Sequence, residues 1–371
     1  MARVNLRALY AFLVSLSLLS VLCAAGPVED LIAKCRPVMD AQIAQSKTCT
    51  KDKVQIRQDW GDLSIPDRHA YIAAVKCLMK RPSQADPKDY PGCKNRYDDF
   101  VAMHIKRTPD IHFTGSFLSA HRLFTASFEH ALQTECGYTG THPYWNWGRW
   151  ADNVEASPLF DGSNSSLGGQ GEYVQHPPNR YRPVGEGGGC IASGPFVGLQ
   201  VNLGPIDLAD GADKTPKNPR ADGMGYNPRC VKRDLSSFMT SRFTRPEQIA
   251  SFIMKHTDIK SFQDDLQAFN GMHPTGHLTI SGDPGSDMYV SPADVPFWVH
   301  HAMVDLVWAL WQCQDFENRQ QVMAGTALKD RPGPPQTLED VIDFGLVNLG
   351  RPYKLKELMS TVDGPFCYVY K

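Results

Sequence analysis

Seven of the 12 histidines fall into two groups, and clustered imidazoles are well suited to holding a transition metal. His104, His112 and His121 form the first group. The second begins about 150 residues further on, with His273, His277 and the adjacent pair His300 and His301. His273 and His277 are four residues apart, so on a helical turn they share a face. His300 and His301 lie in an apolar helical pattern. Neighbours on a helix point about 100° apart, so only one of them faces a given site. Asp305 is four residues after His301, on the same face, placed to orient a liganding imidazole from behind.

Each histidine taken singly has a plainer explanation as a satisfied core residue. The His273–His277 spacing also lacks the glutamate of the His-Glu-x-x-His zinc-protease pattern. Two triads free of cysteine and carboxylate are harder to explain that way. All-imidazole sites suit copper or zinc, and pairing two of them favours redox chemistry at copper.

These residues need elements to position them. Residues 96–105 read as a helix carrying His104, with Pro109 expected to stop it and leave His112 on a loop. Residues 116–136 read as a long helix with His121 in its early part. Further helical patterns occupy much of 27–100, including 67–79, then 245–255, 258–269 and 293–313. Between 148 and 228 glycine, proline, asparagine and aspartate crowd the chain, predicting a long irregular excursion that shapes a site. No internal repeat or low-complexity tract interrupts this plan.

A composition of 42% hydrophobic and 21% charged residues is that of an ordinary globular protein. The net charge of −2 comes with scattered lysine and arginine, which excludes a nucleic-acid groove and implies no membrane surface as a partner. At the N-terminus Arg3 and Arg7 precede an apolar run from Ala8 to Leu22 and then small residues. That is the plan of a secretory signal peptide, 1–25, cleaved after Ala25 or Gly26, leaving 26–371 as a single catalytic domain. Of the 10 cysteines, Cys23 leaves with the signal, and most of the rest should pair in an oxidising compartment. No Cys-x-x-Cys occurs, which argues against a zinc ribbon. Cys190 and Cys230 flank the glycine-rich excursion, and Cys313 and Cys367 are expected to pin the tail to the last strong helix. Asn164-Ser165-Ser166 is a glycosylation sequon in a polar stretch.

The segments around the histidines resemble a known family. Tyr97 to His104, then Ile111-His112, then Phe117 to Arg122 are similar to the first copper site of tyrosinases and catechol oxidases. Gly271 to His277, followed by Phe297 to Asp305, resembles their second. Pro143-Tyr144-Trp145-Asn146-Trp147 looks like the family's structural motif after the first site, and the tail resembles short fungal members. The resemblance implies a mainly α fold. A four-helix bundle would hold a dicopper centre among long irregular loops and few short strands. One copper would sit on His104, His112 and His121, the other on His273, His277 and His301, with His300 and His130 left as non-ligands. Phe297 would back the ligands. The implied activity is copper-dependent oxidation of phenols by O2, o-diphenols to o-quinones. The substrate would be a phenolic small molecule or a peptidyl tyrosine. An oxidase tailoring a dedicated secondary metabolite and a haemocyanin-like oxygen binder are the alternatives.

Departures from the family pattern sharpen the expectation. Asp294-Val295-Pro296-Phe297 displaces a proline, Asn146 stands where many members carry aspartate, and Asp110 excludes a cysteine–histidine thioether. With 70 residues after His301, a long C-terminal plug of the kind some family members carry is not expected. Members that hydroxylate monophenols often pair an asparagine after the first ligand of the second site with an upstream glutamate. Here those positions are Pro274 and Gln267, and neither is a base. Asp264 and Asp265 are the nearby carboxylates able to handle a proton. Weak monophenol hydroxylation is therefore expected. Pro274, Leu278, Met288 and Val290 are expected to border the substrate pocket.

Overall fold

The computed structural model describes residues 26–178, 181–208, 215–329 and 333–371, so the expected signal segment 1–25 lies outside the described residues. Helices dominate: α1 Pro27–Gln45, α2 Ile65–Leu78, α3 Arg96–Ile111, α4 Phe117–Cys136, α5 Thr240–Phe243 and α6 Pro246–Lys255. They continue as α7 Ile259–Gln267, α8 Met272–Ile280, α9 Gly282–Gly285, α10 Pro296–Cys313 and α11 Phe316–Arg319. Their ends follow local chemistry. Asn95 and Asp98 form a reciprocal capping box at the start of α3, and Asp258 accepts from the Ser261 N–H at the start of α7. Gly137, with φ of 67°, closes α4 in the left-handed conformation that glycine adopts without strain.

Pro109 does not stop α3, which runs to Ile111 with His112 as its C-cap. The missing proline N–H falls in the last turn, where carbonyls are already seeking other partners. Thr108 Oγ1 donates to the His104 carbonyl there (2.8 Å), and the Lys329 N–H donates to the Pro109 carbonyl (3.0 Å).

The centre of the molecule is a bundle in which α4 packs on α3 and α10, while α8 packs on α10 and on α7. Its filling is aromatic. Phe128 and Trp298 stack at 3.7 Å with 5° between planes, and Trp145, Trp147, Trp308 and Trp311 are fully buried. Outside the bundle, α1 lies along α10 and α6. Short strand pairs tie down the loops, and Gln55–Arg57 pairs in parallel with Tyr368–Tyr370, returning the C-terminal tail to the core. The glycine-rich excursion is clamped to the start of α10 by Arg233. Its guanidinium grips Asp294 at 2.8 and 2.7 Å and also donates to the Leu167 and Gly168 carbonyls. Among the described residues no helix is long and apolar enough to cross a membrane.

Cys190 and Cys230 are bonded as expected, but Cys313 and Cys367 are not bonded to each other. The docking of α1 on α10 brings Cys35 to Cys313, and the parallel pairing of the tail brings Cys367 to Cys49. A fourth disulfide, Cys77–Cys136, joins α2 to the end of α4. Buried Cys93 is the unpaired cysteine among the described residues.

Candidate metal centre

The three imidazoles of the first group converge from α3, its C-cap and α4, with nitrogens within 4.8 Å of one another. Ring centroids are 5.2 Å apart for His104 and His112 and 4.8 Å for His112 and His121. Each ring is fixed from behind by a backbone carbonyl. Nδ1 of His104 meets the Tyr289 carbonyl at 2.8 Å, Nδ1 of His112 meets that of Thr108 at 3.1 Å, and Nδ1 of His121 meets that of Phe117 at 2.8 Å. A neutral imidazole donating from Nδ1 keeps its lone pair on Nε2. Nε2 of His104 and His121 is buried and has no hydrogen-bond partner. Buried imidazole nitrogens left this way are costly unless something else satisfies them, and a metal ion does so.

The second group comes from α8 and α10. One helical turn brings Nε2 of His273 within 3.2 Å of Nε2 of His277. His301 stacks on His121 of the first group at 4.4 Å and 13°, so the two groups face each other directly. Both nitrogens of His301 are buried without a partner. His300 sits in the same cluster, but its Nδ1 accepts from the Trp147 indole N–H at 3.1 Å. A neutral ring accepting at Nδ1 carries its proton on Nε2 and has no lone pair to offer there. Nε2 of His300 is also buried without a partner, so what distinguishes the two neighbours is that the Nδ1 of His300 is engaged and that of His301 is not.

Gly276 makes the approach of α8 to α10 feasible. A Cβ at this position would come within 2.2 Å of the His300 ring. The segment 142–147 braces α10 from the other side. Trp145 N–H donates to the Val299 carbonyl (2.9 Å), and Nε2 of His142 meets the Trp298 carbonyl (3.1 Å). Asn146 supports the loop, accepting from the Gly148 N–H and donating to Glu29. Phe297 touches both groups, with centroids 4.2 Å from His301 and 5.3 Å from His104. Burial lowers the pKa of His121 to about 4, and burial together with repulsion from the His121 ring lowers that of His277 to about 3. The rings therefore stay neutral near pH 7, as ligands must be.

A cavity of about 310 Å³ opens beside His273 and His277 and is also lined by Gln267, Pro274, Leu278 and Met288. Gln267 does not stand free in it. Its Oε1 accepts from the Phe113 N–H at 2.7 Å, and its Nε2 donates to the Gln263 carbonyl at 3.3 Å. Val290 does not line this cavity. It is fully buried behind the 287–290 turn, against Gly204.

Three carboxylates expected near the chemistry serve elsewhere. Asp264 is half exposed and pairs with Lys260 one turn back on α7. Asp265 pairs with Lys255 and with Nε2 of His256, each at 3.3 Å, and lines a separate cleft of about 520 Å³ whose lining includes neither histidine group. Both are exposed on α7, whose Phe262 and Leu266 are buried. Asp305 touches no imidazole. It accepts from Arg122 Nε (2.5 Å), Tyr368 OH (2.7 Å) and Tyr370 OH (2.5 Å), all better donors than a neutral ring. No sequence signal marked Phe113, which follows a ligand-type histidine and adopts φ of 54°, or the Tyr289 carbonyl behind His104. Trp147 lay within a recognisable motif, yet its partner became evident only in the fold.

The family model described as the common central domain of tyrosinase matches residues 94–314. Tyrosinase-like protein orsC of Emericella nidulans is 42% identical over 298 residues, 75% of this chain and 79% of its own. Tyrosinase P of Aspergillus terreus is 38% identical over 338 residues, 86% of this chain and 92% of its own. The same comparison finds N-acetyl-6-hydroxytryptophan oxidase ivoB of E. nidulans, 34% identical over 88% of this chain and 95% of its own. Among solved structures, a single-substitution mutant of a polyphenol oxidase from Thermothelomyces thermophila superposes with a TM-score of 0.85 and 37% identity. It covers 93% of this chain and 98% of its own. With its helical bundle and paired histidine clusters, the chain belongs to the tyrosinase family and is an oxidase of the polyphenol oxidase type.

Proposed function

We propose that His104, His112 and His121 hold one copper ion and His273, His277 and His301 a second, and that the centre oxidises o-diphenols to o-quinones with O2. The observation that carries this reading is the face-to-face arrangement of two groups of buried, neutral imidazoles, closed by the His121–His301 stack. A copper pair bound there supplies the two-electron exchange between phenol and oxygen. In balance, two diphenols and one O2 give two quinones and two waters.

The protein's share is positioning. Backbone carbonyls hold the rings in one tautomer, Phe297 and the stacked aromatics keep water from the back of the site, and the 310 Å³ cavity admits a phenol beside His273 and His277. At the cavity wall Pro274 carries no donor or base, and both ends of the Gln267 amide are engaged. This supports diphenol oxidation with weak hydroxylation of monophenols. The relative named N-acetyl-6-hydroxytryptophan oxidase supports a dedicated phenolic metabolite over a broad range of phenols. Four disulfides among the described residues and the exposed Asn164 of the sequon support a secreted, glycosylated protein whose leader is removed near Ala25 or Gly26.

The test is copper content of the purified protein together with oxygen uptake on a catechol and on a monophenol. Two coppers per chain and rapid catechol uptake with little monophenol uptake are expected. Absence of copper after reconstitution would overturn the reading.

A further inference from the structure

The cavity beside His273 and His277 is larger than one phenol needs. A dry cavity of about 150 Å³ is enough to enclose a benzene ring, so a volume of about 310 Å³ has room for roughly two rings. Its lining changes character from floor to mouth. His273 and Leu278 are buried, whereas Phe113 and Phe269, which line the same cavity, are 47% and 48% exposed. Tyr181 joins them, its ring packed on that of Phe269 with centroids 4.8 Å apart and 33° between planes. One ammonium, that of Lys329, and one carboxylate, that of Asp207, line the cavity among the described residues, so neither sign of charge prevails there.

The exposed rings are held in place by the backbone. Phe113 follows His112 and has a left-handed conformation with φ of 54°. Bulky residues rarely adopt it, and they keep it where surrounding contacts impose it, often at ligand clamps. Gln267 imposes it by accepting from the Phe113 N–H at 2.7 Å. Phe269 lies two residues beyond Gln267, in the turn between α7 and α8, so this one hydrogen bond ties together the segments that present the two rings. The Lys329 ammonium lies over the Phe113 ring, 4.8 Å from its centroid, and still leaves nearly half of the residue exposed. Large apolar side chains left in water along the wall of a ligand cavity mark a surface that an apolar group covers.

A phenol whose ring reaches His273 and His277 therefore fills about half of the volume and leaves its substituent beside aromatic side chains. We propose that Phe269 and Phe113 are specificity-determining residues that select phenols carrying a second aromatic ring on their side chain. The second ring packs offset or edge-on against these residues at the mouth while the phenol occupies the floor. Aromatic contact of this kind favours an aryl group over a saturated group of equal bulk. This deepens the assignment of the cavity as the phenol site and rests on it.

The test compares 4-benzylcatechol with 4-methylcatechol and 4-(cyclohexylmethyl)catechol, in wild type, Phe269→Ala and Phe113→Asn. Asparagine tolerates a left-handed backbone, so the second variant removes the ring and keeps the turn. In the wild type the benzyl compound is expected to exceed the methyl compound about tenfold in kcat/KM, mainly through KM, and the cyclohexylmethyl compound about threefold. Both ratios should fall towards one in Phe269→Ala, and the first should fall in Phe113→Asn. Equal use of the benzyl and methyl compounds by the wild type would overturn the proposal. So would equal use of the benzyl and cyclohexylmethyl compounds, which would show that bulk alone is recognised, or a benzyl-to-methyl ratio unchanged in either variant. A second readout uses metal-free protein and the non-oxidisable pair 4-benzylbenzamide and 4-methylbenzamide, followed by titration calorimetry. Tighter binding of the benzyl compound, lost in Phe269→Ala, supports the proposal even if no catechol is turned over, in which case the oxidase reading alone fails. Equal binding of the two overturns it.

Discussion

The rings of His121 and His301 stack at 4.4 Å with 13° between their planes, although 180 residues separate them in the chain. One belongs to each triad, so the stack fixes how the two groups face. It also sets His301 apart from His300, whose Nδ1 is taken by Trp147. His301→Ala is expected to lose one copper per chain and all diphenol oxidation. His300→Ala should keep both coppers but unfold at lower temperature, because the buried Trp147 N–H loses its acceptor, a penalty of about 1–3 kcal/mol. Metal analysis with thermal unfolding checks both. Loss of copper in His300→Ala alone would reverse the assignment of the pair.

Gly276 offers a test of the α8–α10 contact. Adding a methyl there drives it against the His300 ring at 2.2 Å, so Gly276→Ala should destabilise by about 1–3 kcal/mol and weaken retention of the second copper. Combining it with His300→Ala removes the ring that it strikes. The double variant should be less destabilised than the sum of the two singles, a coupling read from denaturant unfolding. Additive effects would show that the glycine is required for another reason.

Gln267 ties the wall of the cavity to the turn that carries His112. Gln267→Leu removes the acceptor of the Phe113 N–H and should speed copper loss from the first site to a chelator several-fold. Gln267→Glu keeps an acceptor and should hold copper near the wild-type rate. If both variants lose copper alike, the bond to Phe113 does not govern His112. Oxygen uptake on a monophenol in Gln267→Glu with Pro274→Asn is the complementary measurement. An increase over wild type is expected if the missing base is what limits hydroxylation.

How much of this was legible in the sequence follows from the range of the interactions. The histidine groups and the helices that carry them were readable because residue type, spacing and periodicity are local. Pro109 misled because its cost depends on position within the helix, and the last turn is the tolerant place. The partners of Asp305 and Cys367 were not readable, since both are set by the tail returning beside Gln55–Arg57, a pairing with no local signal. Cys313 joins Cys35 for a similar reason, the docking of α1. Asp264 and Asp265 were close to the site in sequence, yet the helical face on which they fall turns them to solvent. Gly276 is disfavoured in a helix by its residue type alone, and the reason for it, the His300 ring packed behind it, is set by α10 and has no local signal.

The ion network around Asp305 gives a pH prediction whose sign can be worked out. Asp305 and Glu129 are fully buried, and the guanidiniums of Arg122 and Arg57 hold their pKa values below the ordinary carboxylate range against the opposing effect of burial. A depressed carboxylate supplies stability that is fully present above its unfolded pKa near 4 and is lost as pH falls through the folded value. Asp59 and Asp98 work in the other direction. Burial raises both to about 6, so their contribution is greatest below pH 4 and declines as pH climbs from about 4 to 6. Asp305→Asn leaves two buried guanidiniums short of a counter-charge and should cost about 3–5 kcal/mol at pH 7. Below pH 4 the gap to wild type should narrow, because the wild-type carboxylate then becomes protonated as well. Asp59→Asn should instead flatten the stability profile between about pH 4 and 6. Denaturant unfolding of metal-free protein at constant ionic strength, read as the difference between wild type and each variant, separates the two windows. A gap for Asp305→Asn that does not change with pH would mean that the lost stability comes from packing and not from the charge.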